Sequence, residues 1–164
     1  MTATTTSPTL PARRPQWRDG VLQADLCVIG GGSGGLSVAA GAAQMGASVV
    51  LVEKHLMGGD CLNTGCVPSK ALLAAAHAAD AVRHSGRFGV NGHEPAVDFA
   101  AVHRHVHGVI AAIAPHDSVE RFEGLGVTVI QAAARFTGPD EVAAGGQRIR
   151  ARRYVLATGS SAAL

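Results

Sequence analysis

A glycine-rich segment that follows an apolar strand and precedes a helix constrains the fold of this chain most strongly. Residues 24–29 form a short apolar run, and the glycines after it have the spacing G-x-G-x-x-G. Residues 36–45 then have a helical pattern, and a second apolar run follows at residues 47–52. A strand, a helix and a strand in this order predict a βαβ unit and therefore a parallel sheet in an α/β fold.

The three glycines of this spacing have different expected roles. Gly30 makes the tight turn, Gly32 lets the backbone approach a pyrophosphate, and Gly35 lets the helix pack closely on the strand. The N-terminus of the helix offers N–H groups and a positive dipole to the phosphates. Glu53 ends the second strand, where an acid accepts hydrogen bonds from a ribose. The segment predicts a dinucleotide site, and the spacing alone suits FAD and NAD equally because both contain an ADP moiety.

Two cysteines follow the second strand, and four residues separate Cys61 from Cys66. On one regular helix their Cα atoms would lie about 7.5 Å apart along the axis, whereas a disulfide requires roughly 4.4–6.8 Å. If the pair forms a disulfide, the helix must be interrupted, and residues 63–65 are typical of a turn. Pro68 suits the first turn of a helix that we expect to continue to about His84. Cys66 would then lie near the N-terminus of that helix, where the dipole favours a thiolate.

Lys70 lies in the first turn of that predicted helix, which is the unfavourable end for a cation. This position indicates a negative or electron-rich group nearby. A metal site is the alternative for the two cysteines, but zinc sites need further ligands and usually a shorter spacing. A plant-type iron–sulfur run needs a third cysteine where Ser69 stands. We therefore interpret the pair as a redox-active dithiol and expect no metal.

Cys27 and the histidines have simpler interpretations. Cys27 lies in the first strand and is expected to be a small buried apolar residue. His103 and His107 could share one face of a helix that runs from Phe99 toward Ile113, opposite a row of apolar residues. Because such a face is ordinarily solvated, we expect polar surface residues there rather than metal ligands.

The remaining segments predict one more helix and several short strands. We expect Pro115 to kink or end the long helix, and Asp117 with Glu120 to form a capping box that starts the next one. A strand is predicted at residues 127–130, a β-meander within residues 132–150, and a last strand at residues 154–157.

Composition and charge argue against several classes of protein. A net charge of +2 is too small to indicate a nucleic-acid or membrane-surface partner, and 164 residues suffice for one domain with a core. No apolar run reaches the length of a membrane span, and none resembles a secretory signal, so we predict a cytoplasmic location. Residues 1–20 are rich in Thr, Pro and Arg. They are expected to form a disordered leader before a domain at residues 21–164.

Three motifs carry a resemblance to a known family. They are GGGSGG with Glu53, GGDCLNTGCVPSK at residues 58–70, and ATGS at residues 157–160. Together they resemble the N-terminal FAD-binding part of class I pyridine nucleotide–disulfide oxidoreductases, the family of dihydrolipoyl dehydrogenase, mercuric reductase and glutathione reductase. The resemblance covers nearly all of residues 24–160. It implies a Rossmann-like FAD/NAD(P)-binding domain with a parallel sheet, helices and a β-meander, truncated before its last strand.

The resemblance also implies roles for individual residues. Cys61 would be the interchange thiol that attacks the substrate, Cys66 the thiol that faces the flavin, and Lys70 a cation beside the flavin ring. Many members carry a Thr where this chain has Asp60, and a carboxylate there would repel phosphates unless it pointed away. The implied cofactor contacts are Gly30, Gly32, Ser33, Gly34, Gly35, Glu53, Lys54, Gly59, Cys61, Lys70, Ala134, Thr158 and Gly159.

The implied activity is electron transfer from NAD(P)H through FAD to the Cys61–Cys66 disulfide, and on to a small-molecule disulfide or mercuric ion. The family continues into NAD(P)H-binding and dimerisation domains, so we expect a homodimer for the full-length protein. We expect this segment to be incomplete and inactive by itself. A non-catalytic dinucleotide-binding or dithiol module, or a truncated gene product, is the alternative. The substrate stays open among dihydrolipoamide, mercuric ion and a glutathione-like disulfide, as does the choice between NADH and NADPH.

Overall fold

The structure is a computed structural model that describes residues 13–90 and 92–160. These residues form two compact units. The sheet unit comprises the described residues up to Gly59 and from His116 onward, and the helical unit comprises Asp60–Pro115. The elements in chain order are β1 Gln16–Arg18, β2 Val21–Ile29, α1 Ser33–Gln44, β3 Val49–Glu53, α2 Gly59–Asn63, α3 Cys66–Arg83, α4 Phe99–Ile113, α5 Val119–Gly124, β4 Thr128–Gln131, β5 Arg135–Gly138, β6 Glu141–Ala144 and β7 Gln147–Leu156.

The sheet unit is built on a seven-stranded sheet with the strand order β4-β3-β2-β7-β6-β5, and β1 pairs with β2 outside this path. The four strands β4, β3, β2 and β7 pair in parallel, whereas β7, β6 and β5 form an antiparallel meander. Helix α1 connects the parallel neighbours β2 and β3. The predicted βαβ unit, the β-meander and the Rossmann-like α/β class are therefore confirmed.

Strand β3 is buried along its whole length because apolar clusters cover both of its faces. Its alternate residues enter different clusters, as the two-residue period of a strand requires. Val50 and Val52 pack in one cluster with Cys27, and Val49 and Leu51 pack in the other with residues of α1 and α5. Cys27 is fully buried, as predicted from its position in an apolar run.

Strand β1 lies inside the segment 1–20 that we expected to be a disordered leader. Asp19 and Gly20 turn the chain with φ of 50° and 72°, and Gln16–Arg18 then pair antiparallel with the start of β2. This pairing corrects the expectation for residues 16–18. Residues 1–12 lie outside the described residues, and a leader there stays a prediction.

Two further predicted boundaries are wrong. Ser118, not Asp117, caps α5, because the Ser118 hydroxyl accepts the N–H of Arg121 at 3.2 Å while Asp117 ends a short 3-10 turn. The last two predicted strands are one continuous strand, β7, which pairs with β2 from Arg148 to Leu156. No Gly or Pro stands between residues 147 and 156, so nothing in the local sequence interrupts the strand.

The helical unit consists mainly of α3 and α4, which pack against each other. On α4 the row of apolar residues is partly buried, whereas His103, His105 and His107 are exposed; the row consists of Val102, Val106, Ile110 and Ile113. His103 and His107 share one face, and their Nε2 atoms lie 3.1 Å apart. Within the described part of the chain, no helix is both long enough and apolar enough to cross a bilayer.

Candidate dinucleotide and dithiol sites

Close packing explains two glycines of the G-x-G-x-x-G turn. Gly30 has a φ of +113°, and a Cβ there would lie 2.1 Å from the carbonyl oxygen of Ala157. A Cβ at Gly35 would lie 1.8 Å from the carbonyl oxygen of Gly30. Distances below 3.0 Å leave no room for any side chain. The first glycine therefore lets β7 approach the turn, and the third lets α1 pack against it.

Internal packing does not explain Gly32 and Gly34. Gly32 is the N-cap of α1 with an ordinary φ of −84°, and the nearest atom to a Cβ there would be 3.8 Å away. A Cβ at Gly34 would meet nothing within 4 Å. No side chain caps this helix N-terminus, so its backbone N–H groups are open to a ligand. This open backbone fits the pyrophosphate of a dinucleotide, which is the role predicted for the second glycine.

The loop after β3 is attached to the glycine turn by backbone contacts. The N–H of Gly58 donates to the carbonyl oxygen of Gly31 at 2.9 Å, and Gly32 and Gly58 form an isolated parallel bridge. Gly59 has a φ of +56°, and a Cβ there would lie 2.6 Å from the Cα of Gly32. The sequence pointed to Gly59 only through the family resemblance. Its close approach to Gly32 is a structural reason for glycine at that position.

Glu53 anchors the glycine turn from the end of β3. Its two carboxylate oxygens accept the backbone N–H groups of Gly31 and His55, each at 2.6 Å. The side chain is almost buried, with 9% of the residue exposed. A carboxylate has about four lone-pair sites, so acceptor capacity remains for the hydroxyls of a ribose. Sequence reasoning found the acid but not its backbone partners, because a spacing motif carries no information about them.

One cavity of about 190 Å³ brings together residues that are distant in sequence. Five of the predicted contacts line it, namely Gly30, Glu53, Lys54, Ala134 and Thr158. Sequence reasoning missed four further lining residues, Ile29, Val52, Ala132 and Ala133. The walls are mostly aliphatic and the carboxylate of Glu53 is the acidic group, which suits a nucleoside with an apolar ring and a polar sugar. Ser33, Gly34 and Gly159 lie outside this lining, and their contacts with a cofactor stay predictions.

The two cysteines of the CLNTGC motif lie on different helices. Cys61 belongs to the one-turn helix α2, and Cys66 is the first residue of α3. The segment is therefore not one regular helix, as the disulfide geometry required. Both are free thiols here, and Cys66 is the more exposed. A side-chain hydrogen bond with Cys66 is the main cause that raises the pKa of Cys61; burial raises it further, and the nearby charge of Lys70 lowers it.

Asp60 holds the turn between the cysteines. Its carbonyl oxygen accepts the N–H groups of Thr64 at 3.0 Å and Gly65 at 2.6 Å, and its carboxylate accepts the hydroxyl of Thr64. A Cβ at Gly65 would lie 3.0 Å from Asp60, which explains glycine there. The side chain that departs from the family pattern is thus engaged within its own helical turn. Lys70 is exposed on α3, and its contact with a flavin stays a prediction.

No group of three or more His, Cys, Asp or Glu side chains in the described segments could hold a metal ion. The face shared by His103 and His107 brings together two imidazole side chains, which is fewer than three such groups.

Comparisons with known proteins identify the family of this chain. The model of the pyridine nucleotide–disulphide oxidoreductase family matches residues 24–164. A mercuric reductase of Streptomyces lividans is 38% identical over 84% of this chain, and dihydrolipoyl dehydrogenases of Geobacillus stearothermophilus and Pseudomonas aeruginosa are 33% and 36% identical over 87% and 85%. The chain spans 30%, 31% and 32% of the length of these three relatives. On this evidence the chain belongs to the pyridine nucleotide–disulphide oxidoreductase family.

Proposed function

We propose that this chain is the FAD-binding and dithiol part of an oxidoreductase that passes electrons from NAD(P)H through FAD to a Cys61–Cys66 disulfide and on to a substrate. The position of the two cysteines on either side of the break between α2 and α3 carries the proposal, and Cys66 is the neighbour that most raises the pKa of Cys61. Such a break removes the regular helical spacing that would hold the two Cα atoms too far apart for a disulfide. The open glycine turn in the same chain supports a dinucleotide as the electron carrier.

Members of this family depend on FAD and use NAD(P)H. Bound FAD would supply a two-electron carrier between nicotinamide and disulfide. In this chain Glu53 would bind the ribose through its free lone pairs, and the backbone around Ser33 and Gly34 would face the pyrophosphate. Lys54, Ala134 and Thr158 would border the nucleoside, while Gly59 would keep the following loop close to the phosphates.

The cysteine pair would perform the exchange with the substrate. Two electrons and two protons convert the Cys61–Cys66 disulfide into two thiols. The Cys61 thiolate would then attack a substrate disulfide, forming a mixed disulfide and releasing one substrate thiol. Attack by Cys66 on the Cys61 sulfur would release the second substrate thiol and restore the disulfide. The positive charge of Lys70 favours the Cys61 thiolate that this exchange needs.

Two substrate classes are open to this chemistry. The relatives include a mercuric reductase and dihydrolipoyl dehydrogenases, which supports either mercuric ion or a small cyclic disulfide as the partner of the dithiol. Mercuric ion would take the same two electrons, with the disulfide formed again. A homodimer and a cytoplasmic location remain part of the proposal for the whole protein.

Flavin binding tests the first half of the proposal. The purified 164-residue chain is titrated into FAD, and binding is followed by the quenching of flavin fluorescence. We expect Gly32→Ala to weaken binding about tenfold or more, because a methyl group would occupy the approach to the pyrophosphate. Gly41→Ala lies in the interior of α1 with nothing within 4 Å, and it should leave binding unchanged. Equal affinity of Gly32→Ala and the parent chain would contradict the site.

Electron transfer to the dithiol tests the second half. The chain is oxidised, loaded with FAD, reduced by light and EDTA without oxygen, then alkylated and mapped by mass spectrometry. We expect label on Cys61 and Cys66 only in the FAD-loaded, illuminated sample. A sample without FAD is the control for direct reduction. If the flavin is reduced while the Cys61–Cys66 disulfide stays intact, the electron path is rejected. That result would favour the alternative of a non-catalytic dinucleotide-binding or dithiol module.

A further inference from the structure

A second cavity of the sheet unit lies far from the glycine turn and is lined by arginines. It measures about 420 Å³ and is bordered by Gln23 and Asp25 of β2, by Ser48, and by four arginines. The arginines are Arg13, Arg14, Arg18 and Arg152. Gln23 lies six positions before Ile29 of the glycine turn on β2, which corresponds to about 20 Å of strand. The arginine cavity is therefore distinct from the dinucleotide cavity.

The charge of the arginine cavity is strongly positive. Asp25 is the acid that lines it, and Arg13 and Arg152 each approach its carboxylate only to 3.6 Å. Ser48 holds that carboxylate more closely, donating its N–H at 2.9 Å and its hydroxyl at 2.8 Å. These hydrogen bonds are the main cause that lowers the pKa of Asp25, so it keeps one negative charge against four positive ones.

Hydrogen bonds join Asp25 and Ser48 at the floor of the cavity, and the rim includes one guanidinium group, that of Arg18, without an ion-pair partner in the described residues. In addition to the bonds above, the N–H of Asp25 donates to the carbonyl and hydroxyl oxygens of Ser48 at 3.0 and 2.9 Å. Arg14 donates to the carbonyl oxygen of Glu123 at 3.3 Å, which positions one wall. Arg18 has no ion-pair partner among residues 13–90 and 92–160. The preformed excess of positive charge favours the binding of an anion.

Strand alternation decides which side chains of β1 reach the cavity. Gln16 and Arg18 line it, while Trp17 between them does not. The cavity therefore offers guanidinium and amide groups without an aromatic platform for stacking bases. That lining favours a small polyanion over single-stranded nucleic acid, which usually stacks on aromatic side chains.

We propose that the arginine cavity binds a small molecule that carries two or more phosphate groups. Guanidinium groups present paired N–H donors that match phosphate oxygens, and several arginines can share one polyphosphate. The volume of the cavity lies within the range of about 300–1,000 Å³ that small-molecule sites occupy. The proposal is independent of the flavin and dithiol chemistry, because none of its residues belongs to those sites.

An NMR titration of the ¹⁵N-labelled 164-residue chain with inorganic tripolyphosphate tests the proposal. We expect saturable shifts of the backbone amides of Arg18, Gln23, Ser48 and Arg152, with weaker binding at higher salt. Arg18→Gln should weaken binding about tenfold, since a charge-assisted contact to phosphate is lost. Arg135→Gln removes the same charge from an exposed position on β5, at the far edge of the sheet, and should change the affinity less than twofold.

Two further ligands identify the class of anion. Citrate should bind more weakly than tripolyphosphate, and an oligonucleotide should bind no more tightly at equal ionic strength. Tighter binding of either one would overturn the proposal, as would shifts confined to residues 30–35 or an equal loss in Arg135→Gln. The spectrum of each variant reports whether it is folded, and Arg152→Gln serves as a second variant if Arg18→Gln is not.

Discussion

The N–H of Gly31 donates to the carboxylate of Glu53 at 2.6 Å, and this bond joins the glycine turn to the end of β3. The other carboxylate oxygen accepts the N–H of His55 at 2.6 Å. Glu53 therefore shapes the turn before any ligand arrives. The acid of a dinucleotide motif has a structural role here in addition to the one expected toward a ribose.

Replacement of Glu53 by Gln should destabilise the fold by about 1–3 kcal/mol, because a Gln side chain has one acceptor oxygen for two N–H donors in a nearly buried place. The free energy of unfolding in urea measures this loss. Glu123→Gln, on the exposed side of α5, is the matched control and should change stability by less than about 0.5 kcal/mol. An equal stability of Glu53→Gln and the parent chain would show that the two hydrogen bonds contribute little.

Replacement by alanine at two glycines of α1 should change the stability of the fold in opposite directions. Gly35→Ala should lower the free energy of unfolding by about 1–3 kcal/mol, because its Cβ would lie 1.8 Å from the carbonyl oxygen of Gly30 and α1 would have to shift. Gly41→Ala should raise the free energy of unfolding by about 0.5–1 kcal/mol. A Cβ at this position inside α1 would meet nothing within 4 Å, and alanine restricts the unfolded chain. Thermal and urea unfolding of both variants check the signs. A gain for Gly35→Ala would contradict the close packing of the turn.

The reactivity of Cys61 should depend on Cys66 and Lys70 with opposite signs. Cys66→Ala removes the hydrogen bond that mainly raises the pKa of Cys61, so alkylation of Cys61 at about pH 8 should become severalfold faster. Lys70→Gln removes a charge that lowers this pKa, so alkylation should become slower. Mass spectrometry after timed iodoacetamide treatment measures both rates. Lys54→Gln, which removes an exposed lysine of the sheet unit, should have no effect.

The stabilising contribution of Cys27 to the fold should be lost at alkaline pH. Burial raises the pKa of this thiol from 9.0 to about 11. Because the folded pKa lies above the unfolded one, the stabilising contribution is complete below about pH 9 and is lost as the pH rises toward 11. Two pKa units correspond to about 3 kcal/mol at most.

Urea unfolding of the parent chain and of Cys27→Ala between pH 7 and 11, under reducing conditions, isolates this contribution. Tyr154 also has a raised pKa, chiefly from burial and with a contribution from the charge of Cys27, and it titrates in the same direction, so the comparison is made in a Tyr154→Phe background. The stability gap between the two proteins should shrink as the pH rises. A gap that stays constant would exclude the thiol as its source.

Local signals carried much of the fold and part of the candidate sites. The alternation of apolar runs with a helical segment predicted the βαβ unit, and the spacing of Cys61 and Cys66 predicted an interrupted helix, because both depend on backbone geometry over a few residues. The boundaries that failed depended on contacts elsewhere. Ser118 replaced Asp117 as the helix cap, and β7 continued through a predicted break because β2 pairs with it throughout.

The sequence by itself determined the parallel α/β class, the glycine turn with its acid, and a dithiol placed at the start of a helix. Only the tertiary structure decided that the backbone of Ala157 lies close to Gly30 and that Gly59 lies close to Gly32. It also decided that the alanines after β4 line the same cavity as Glu53. It also gathered Arg18 and Arg152 into one cavity from opposite ends of the chain. The physical reason is the separation along the chain over which each kind of interaction acts. Turn and helix signals act between neighbours along the chain, whereas a close approach of two backbones or an excess of charge exists only after distant segments have packed.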